Sequence, residues 1–135
     1  MVRNFNCNQL QIPGEADHVA QQLAEARKQD PQAQLFSEIT ASIIGQDFMR
    51  EGDVKSGLDV FKVVLFAYPE SADAHDNIAS AYLKVAEKDL ARKHAEKALA
   101  LLESHSVPAS SWTDTDDYRG EIRRDTEKIL KQLSK

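Results

Sequence analysis

Cysteine is almost missing from this chain: Cys7 is the single one in 135 residues. No internal disulfide framework and no Cys₄ zinc site can therefore support the fold. Glycine and proline are also scarce, at five and four, too few for a turn-rich sandwich or a low-complexity chain. No apolar run approaches the roughly 20 residues of a membrane span. The opening Met1-Val2-Arg3-Asn4-Phe5-Asn6 lacks the apolar stretch of a secretory leader. Together these absences favour a cytoplasmic protein that does not enter a membrane. A basic surplus is lacking too: 22 acidic against 17 basic residues leave a net charge of −5, which argues against a general nucleic-acid binder. The stretch 84–97 is locally basic, but Glu87, Asp89 and Glu96 interrupt it, so it reads as a solvated helix face rather than an RNA surface. What remains is 41% hydrophobic and 29% charged residues, the balance of one globular domain with a substantial core.

Residues 1–14 show no clear period and read as an arm or linker. From 15 to 29 the chain is rich in helix formers, and Val19, Ala20, Leu23 and Ala26 share one face. Asp30-Pro31 breaks the chain. A helix is expected next over about 32–51, with Leu35, Phe36, Ile39, Ile43, Ile44, Phe48 and Met49 on its apolar side. Gly52-Asp53 stops it, and Asp53 can cap its successor. From 54 to 68 apolar residues occur almost all round. That pattern would suit a buried strand, but its length and helical neighbours favour a helix packed on several sides. Ser71 is a plausible N-cap for a helix over 72–85, and a further amphipathic stretch reaches Leu102. Residues 104–115 read as a loop. A last helix over 116–133 carries Tyr118, Ile122, Ile129, Leu130 and Leu133 as its stripe, with acids at its start and lysines at its end. The sequence thus predicts one all-α domain over 15–135, of about six helices in antiparallel hairpins.

Sliding the chain by 34 positions superimposes its punctuation. Gly45 falls on Ala79, Ile44 on Ile78, Phe48 on Tyr82, Gly52 on Ala86, Gly57 on Ala91 and Val64 on Ala98. Small residues recur where helices must approach, and rings recur where a hairpin must be filled. A unit of this length and pattern resembles the tetratricopeptide repeat, over 38–71 and 72–105, with 116–133 as a capping helix. The resemblance implies a right-handed superhelix. Departures fall mainly in the second unit, where Ala86 stands for the turn glycine and Ala95 for a ring; Ala41 and His75 replace the large residue expected near each unit's start.

A narrower resemblance runs from Phe36-Ser37-Glu38 through Ile43-Ile44-Gly45-Gln46-Asp47-Phe48-Met49 and Tyr68-Pro69-Glu70-Ser71-Ala72 to Asp76-Asn77-Ile78-Ala79-Ser80-Ala81-Tyr82-Leu83. This order looks like the helical tail of some bacterial serine hydrolases, of the α/β-hydrolase esterase and β-lactamase-like types. It implies an accessory module with a hydrolase catalytic domain as one candidate partner.

The hydrolase chemistry itself is missing. No glycine pair brackets a serine in a G-x-S-x-G elbow, and no serine has a lysine three residues on. H-E-x-x-H, G-x-G-x-x-G and P-loop patterns are absent. His75 and Asp76 are adjacent, so on a helix they point in different directions. His94 reads as a hairpin-packing residue. Asp114, Asp116 and Asp117 lack the EF-hand spacing and are explained by a helix start. Cys7 reads as an ordinary thiol, and Trp112 as a residue that pins its loop. No enzyme, no cofactor and no metal site is expected.

By the repeat resemblance, the first helix of each hairpin lines the inner face of an arch. The residues expected to touch a partner are Gln46, Met49 and Arg50 in the first unit and Asn77, Ser80 and Lys84 in the second. Ser42, Asp76 and Leu83 share those faces. The carboxylate-clamp pattern is not met: only Asn77 agrees, with Ser42 and Gln46 in place of lysine and asparagine. The expected role is non-catalytic binding of a peptide or partner protein. The alternatives are homo-oligomerisation, with a twin or the 1–14 arm filling the groove, and a small enzyme or RNA-binding domain.

Overall fold

Two serines, 34 residues apart, open the two helices on which the architecture is built. In the computed structural model, which describes residues 7–33, 35–104 and 116–134, Ser37 Oγ accepts from the Thr40 N–H at 3.5 Å. Ser71 Oγ accepts from the Ala74 N–H at 3.1 Å. Each satisfies an orphan donor of a first turn and starts a helix, α2 (Glu38–Arg50) and α4 (Ala72–Lys84). Each helix is followed by a return helix, α3 (Val54–Ala67) and α5 (Lys88–Ser104). α4 opens 34 residues after α2, and α5 opens 34 after α3. α1 (Ala16–Gln29) precedes the hairpins and α6 (Asp116–Leu133) follows them. Among the described residues there is no strand, so the apolar run from Val54 is helical.

One boundary departs from expectation. α2 begins at Glu38, not near residue 32. Asp30 Oδ1 accepts from the Gln32 N–H and Asp30 O from the Ala33 N–H, which closes a side-chain-stabilised turn. Ser37 is extended, with φ −75° and ψ 135°, so Leu35 and Phe36 precede the helix.

The hairpin turns repeat as closely as the caps. Gly52 and Ala86 both have left-handed backbone, with φ +88° and +62°. The next residues, Asp53 and Glu87, donate their N–H to Phe48 O and Tyr82 O, each at 2.9 Å. This is the Schellman arrangement, which favours glycine at its left-handed position. Alanine there is strained by its Cβ. Ala86→Gly should therefore stabilise the protein by about 0.5–1 kcal/mol, net of glycine's larger unfolded entropy. A Cβ at Gly52 meets nothing within 4 Å, so Gly52→Ala should cost a similar amount through backbone strain alone. Urea midpoints at constant slope would measure both; no change at either turn would show that the strain is relieved elsewhere.

The chain falls into two compact units, Met1–Ala67 and Tyr68–Lys135. In the first, α2 packs on α3 and α1 on α3, with a short 3-10 helix (Cys7–Gln11) against α1 and α2. Part of the stretch read as an arm is thus folded, and Leu10 within it is fully buried. Gly45 has no side chain because the Phe61 ring occupies that space: a Cβ would lie 2.4 Å from the ring edge. Across the same interface a Cβ on Gly57 would lie 2.9 Å from Met49 Sδ and 3.0 Å from Gly45 O. Arg27 of α1 holds the end of α3. Its guanidinium donates to Phe66 O at 3.0 Å and Ala67 O at 2.8 Å, carbonyls left over at the helix terminus, and to Ala33 O at 3.2 Å. It also lies 5.3 Å from the centre of the Phe66 ring.

In the second unit α6 packs on both α4 and α5. Ala79, Ala91, Ala95 and Ala98 are completely buried, so the backbones approach closely. Ala79 and Ala95 occupy the places that Gly45 and Phe61 hold in the first hairpin. There the bulk comes from α6: Ile129 packs on Ala79 and Ala95, flanked by Leu83, Leu130 and Leu133. A second cluster joins Ala72, Leu101 and Leu102 to Ile122 of α6. Phe48 and Tyr82 are buried alike, at 8% and 9% exposure. The repeat is therefore real in outline, while the interior volume is distributed differently.

Candidate functional site

The partner-facing residues expected from the sequence fall on two helices, each in its own unit. On α2, Gln46 and Arg50 are exposed and Met49 is half-buried. Arg50 pairs with Asp47 one turn back. The Met49 thioether lies over Gly57 of α3, so Met49 contributes to the hairpin interface as well as to the surface. On α4, Lys84 is exposed, while Asn77 and Ser80 are half-buried. Asn77 Nδ2 donates to Asp73 Oδ2 at 3.2 Å. Ser42 and Asp76, placed on the same faces by the repeat, are both buried and present nothing to a partner.

Two residues assigned to the core of α2 stand outside it. Ile39 and Ile43 are 39% and 48% exposed. At i, i+4, i+7 and i+11, Ile39, Ile43, Gln46 and Arg50 form one line along the helix. Helical period alone could not separate this line from the buried one through Ala41, Ile44 and Phe48, because the apolar stripe is wider than one face. The 34-residue offset carried a signal for Ile43, whose counterpart Asn77 is polar and half-buried, but none for Ile39, whose counterpart Asp73 is itself buried. Beside Phe48, the 3-10 helix and α2 border an open depression lined by Gln11, Ile44, Asp47, Phe48 and Glu51.

The polar groups of the second unit are turned inward. His75 Nε2 lies 2.9 Å from Pro69 O, and its Nδ1 lies 3.0 Å from His94 Nδ1. A carbonyl only accepts, so Nε2 of His75 carries the proton and donates it. In the neutral ring Nδ1 then accepts, and the proton between the rings belongs to His94 Nδ1. The His94 ring also stacks on Tyr82, with centroids 5.7 Å apart, and on His75, at 5.2 Å. Burial lowers the pKa of His75; burial, with His75 as the next cause, lowers that of His94 to about 4. Both rings are neutral at ordinary pH and pack the α4–α5 interface. Asp76 points elsewhere, to Thr126 of α6 at 3.2 Å, so the adjacent His75 and Asp76 form no acid–base pair. Among the described residues no group of three or more His, Cys, Asp or Glu side chains could hold a metal ion. The readings of Cys7, Trp112, Asp114, Asp116 and Tyr118 fall on side chains outside the described ones, and the loop expected over 104–115 lies outside the described residues from 105 onward.

No family model matches the chain, and no curated protein matches it. Among solved structures, the crystal structure of MamA is similar, at 18% identity and a TM-score of 0.46, over 95% of this chain and 76% of that one. The paired caps, turns and helix starts described above establish the architecture from this chain's own geometry. Among the described residues the fold is all-α and tetratricopeptide-like. Among the described residues no helix is long and apolar enough to cross a membrane.

Proposed function

We propose that the chain is a non-catalytic protein-interaction module that takes a peptide segment of a partner on the exposed face of a hairpin-opening helix. The observation that carries this reading is the line Ile39, Ile43, Gln46 and Arg50 on α2. Two large aliphatic side chains stand in solvent one turn apart, although the helix has a complete buried face on its other side. An apolar patch leading into an amide and a guanidinium suits a peptide with an aliphatic anchor and backbone carbonyls or an acidic group. On α4 the corresponding surface is Asn77, Ser80 and Lys84. The inward-turned histidines and the separate partners of His75 and Asp76 support a packing role for the groups that might otherwise suggest catalysis. A hydrolase catalytic domain is one candidate partner, on the strength of the resemblance to hydrolase tails.

A peptide array probed with the natural chain, with Ile43→Asp, and with Arg50→Glu/Lys84→Glu would test this reading. Both variants are expected to lose roughly tenfold or more in binding, since each removes an anchor worth upward of 1.4 kcal/mol. Equal binding by all three proteins would overturn it. Self-association abolished by Ile43→Asp would instead assign the same surface to a second copy.

A further inference from the structure

We propose that α6 is latched onto α4 by a proton carried on Asp76 and shared with Thr126 Oγ1, and that loss of this proton as pH rises to neutrality loosens α6. The geometry of Thr126 requires it. Thr126 is completely buried, and its Oγ1 lies 2.7 Å from Ile122 O and 3.2 Å from Asp76 Oδ1. A hydroxyl has one proton. The Ile122 carbonyl, which can only accept, takes it at the shorter distance. The contact between Thr126 and Asp76 then needs a proton from the carboxyl.

The surroundings supply the reason for the carboxyl to keep it. Asp76 is only 6% exposed. The charged groups facing it are both acids: Asp73 from its own helix and Asp125 from α6. On α5, His94 meets His75, and the charge of Lys97 acts on His75. Burial first, then the charges of Asp125 and Asp73, raise the Asp76 pKa to about 7. Asp73 follows the same logic, raised to about 6 by burial. An ionised Asp76 loses its donor role and faces two like charges in a site with little water. The apolar contacts of Ile129 with Ala79 and Ala95 hold α6 in the same place, so loosening it uncovers that alanine surface.

The sign follows from proton counting. Between the carboxyl's unfolded value, near 3.9, and its raised value, the packed state holds a proton that the open state has released. Stability of the α6 contact therefore falls as pH rises through that window. The histidines act oppositely: their lowered values make global stability fall as pH drops below about 6.5. A local readout on α6 separates the two effects, because His75 and His94 lie between α4 and α5.

Hydrogen exchange of the full chain, corrected for the intrinsic pH dependence, should show α6 protection falling about tenfold between about pH 6 and pH 8. The amides of α2 provide the internal reference and should stay constant. In Asp76→Asn the amide donates to Thr126 at every pH, so α6 protection should be flat. Constant α6 protection in the natural chain, or an undiminished fall in Asp76→Asn, would overturn the latch. A second measurement needs no variant. The Asp76 carboxyl carbon, followed by NMR, should titrate near neutrality and in step with α6 exchange; titration below about pH 5 would also overturn it.

Discussion

Gly45→Ala is expected to destabilise the first unit by about 1–3 kcal/mol, although alanine is the better helix former by up to about 1 kcal/mol. The added methyl would stand 2.4 Å from the Phe61 ring and 2.7 Å from its next carbon, and the ring, 3% exposed, has little room to yield. Phe61→Ala alone should cost about 3–5 kcal/mol through the cavity it leaves. In the double variant the methyl enters vacated space, so Gly45→Ala becomes neutral or favourable. Chemical denaturation of the four proteins closes a double-mutant cycle, and a coupling above about 1 kcal/mol is expected. Additive costs would show that residues 45 and 61 do not share one space.

Arg27→Met should cost the first unit about 2–3 kcal/mol, the range for hydrogen bonds made by a charged group. Methionine keeps the aliphatic stem but abandons three carbonyls, two of them at the end of α3. It also uncovers Phe66, already 43% exposed. Arg27→Lys is the informative companion. An ammonium retains the charge, yet it cannot reproduce the planar fork that spans Ala33 O, Phe66 O and Ala67 O. Recovery of less than half of the loss by lysine would identify fork geometry as the stabilising feature. Full recovery would assign the effect to charge at a helix terminus.

Much of this fold was legible in the sequence, for reasons that lie in short-range chemistry. Ser71 and Asp53 were readable as caps because a short oxygen-bearing side chain before an apolar run has one good use there. The Asp53 carboxylate accepts from the Ser56 N–H at 3.1 Å as expected. Gly52 and Ala86 were readable as equivalent turns from the offset alone. The start of α2 was not, because Gln32 and Gln34 are good helix formers and the turn held by Asp30 competes with them locally. Ser37, one repeat before Ser71, was the sign of the true start.

The surface was less legible than the core. Gln46, Arg50 and Lys84 are exposed, yet Ile39 and Ile43, read as interior, are exposed as well. An apolar side chain is assigned inward by periodicity; a comparison with Asn77 could reverse that for Ile43, while nothing local could for Ile39, whose counterpart Asp73 is buried. The inward turn of Asp76 depends on α6, 50 residues away at Thr126, and no local pattern carries such a pairing. The same holds for Ala95, whose lack of a ring is answered by Ile129.

The unequal filling of two equal outlines also bears on how such a gene could change. A crossover between the copies falling between the codons for 45 and 61, and their partners for 79 and 95, would join Gly45 to Ala95 or Ala79 to Phe61. The first hybrid would be hollow and the second overfull. Recombination would be tolerated only outside that interval, so each glycine–phenylalanine or alanine–alanine pair must be inherited as one block.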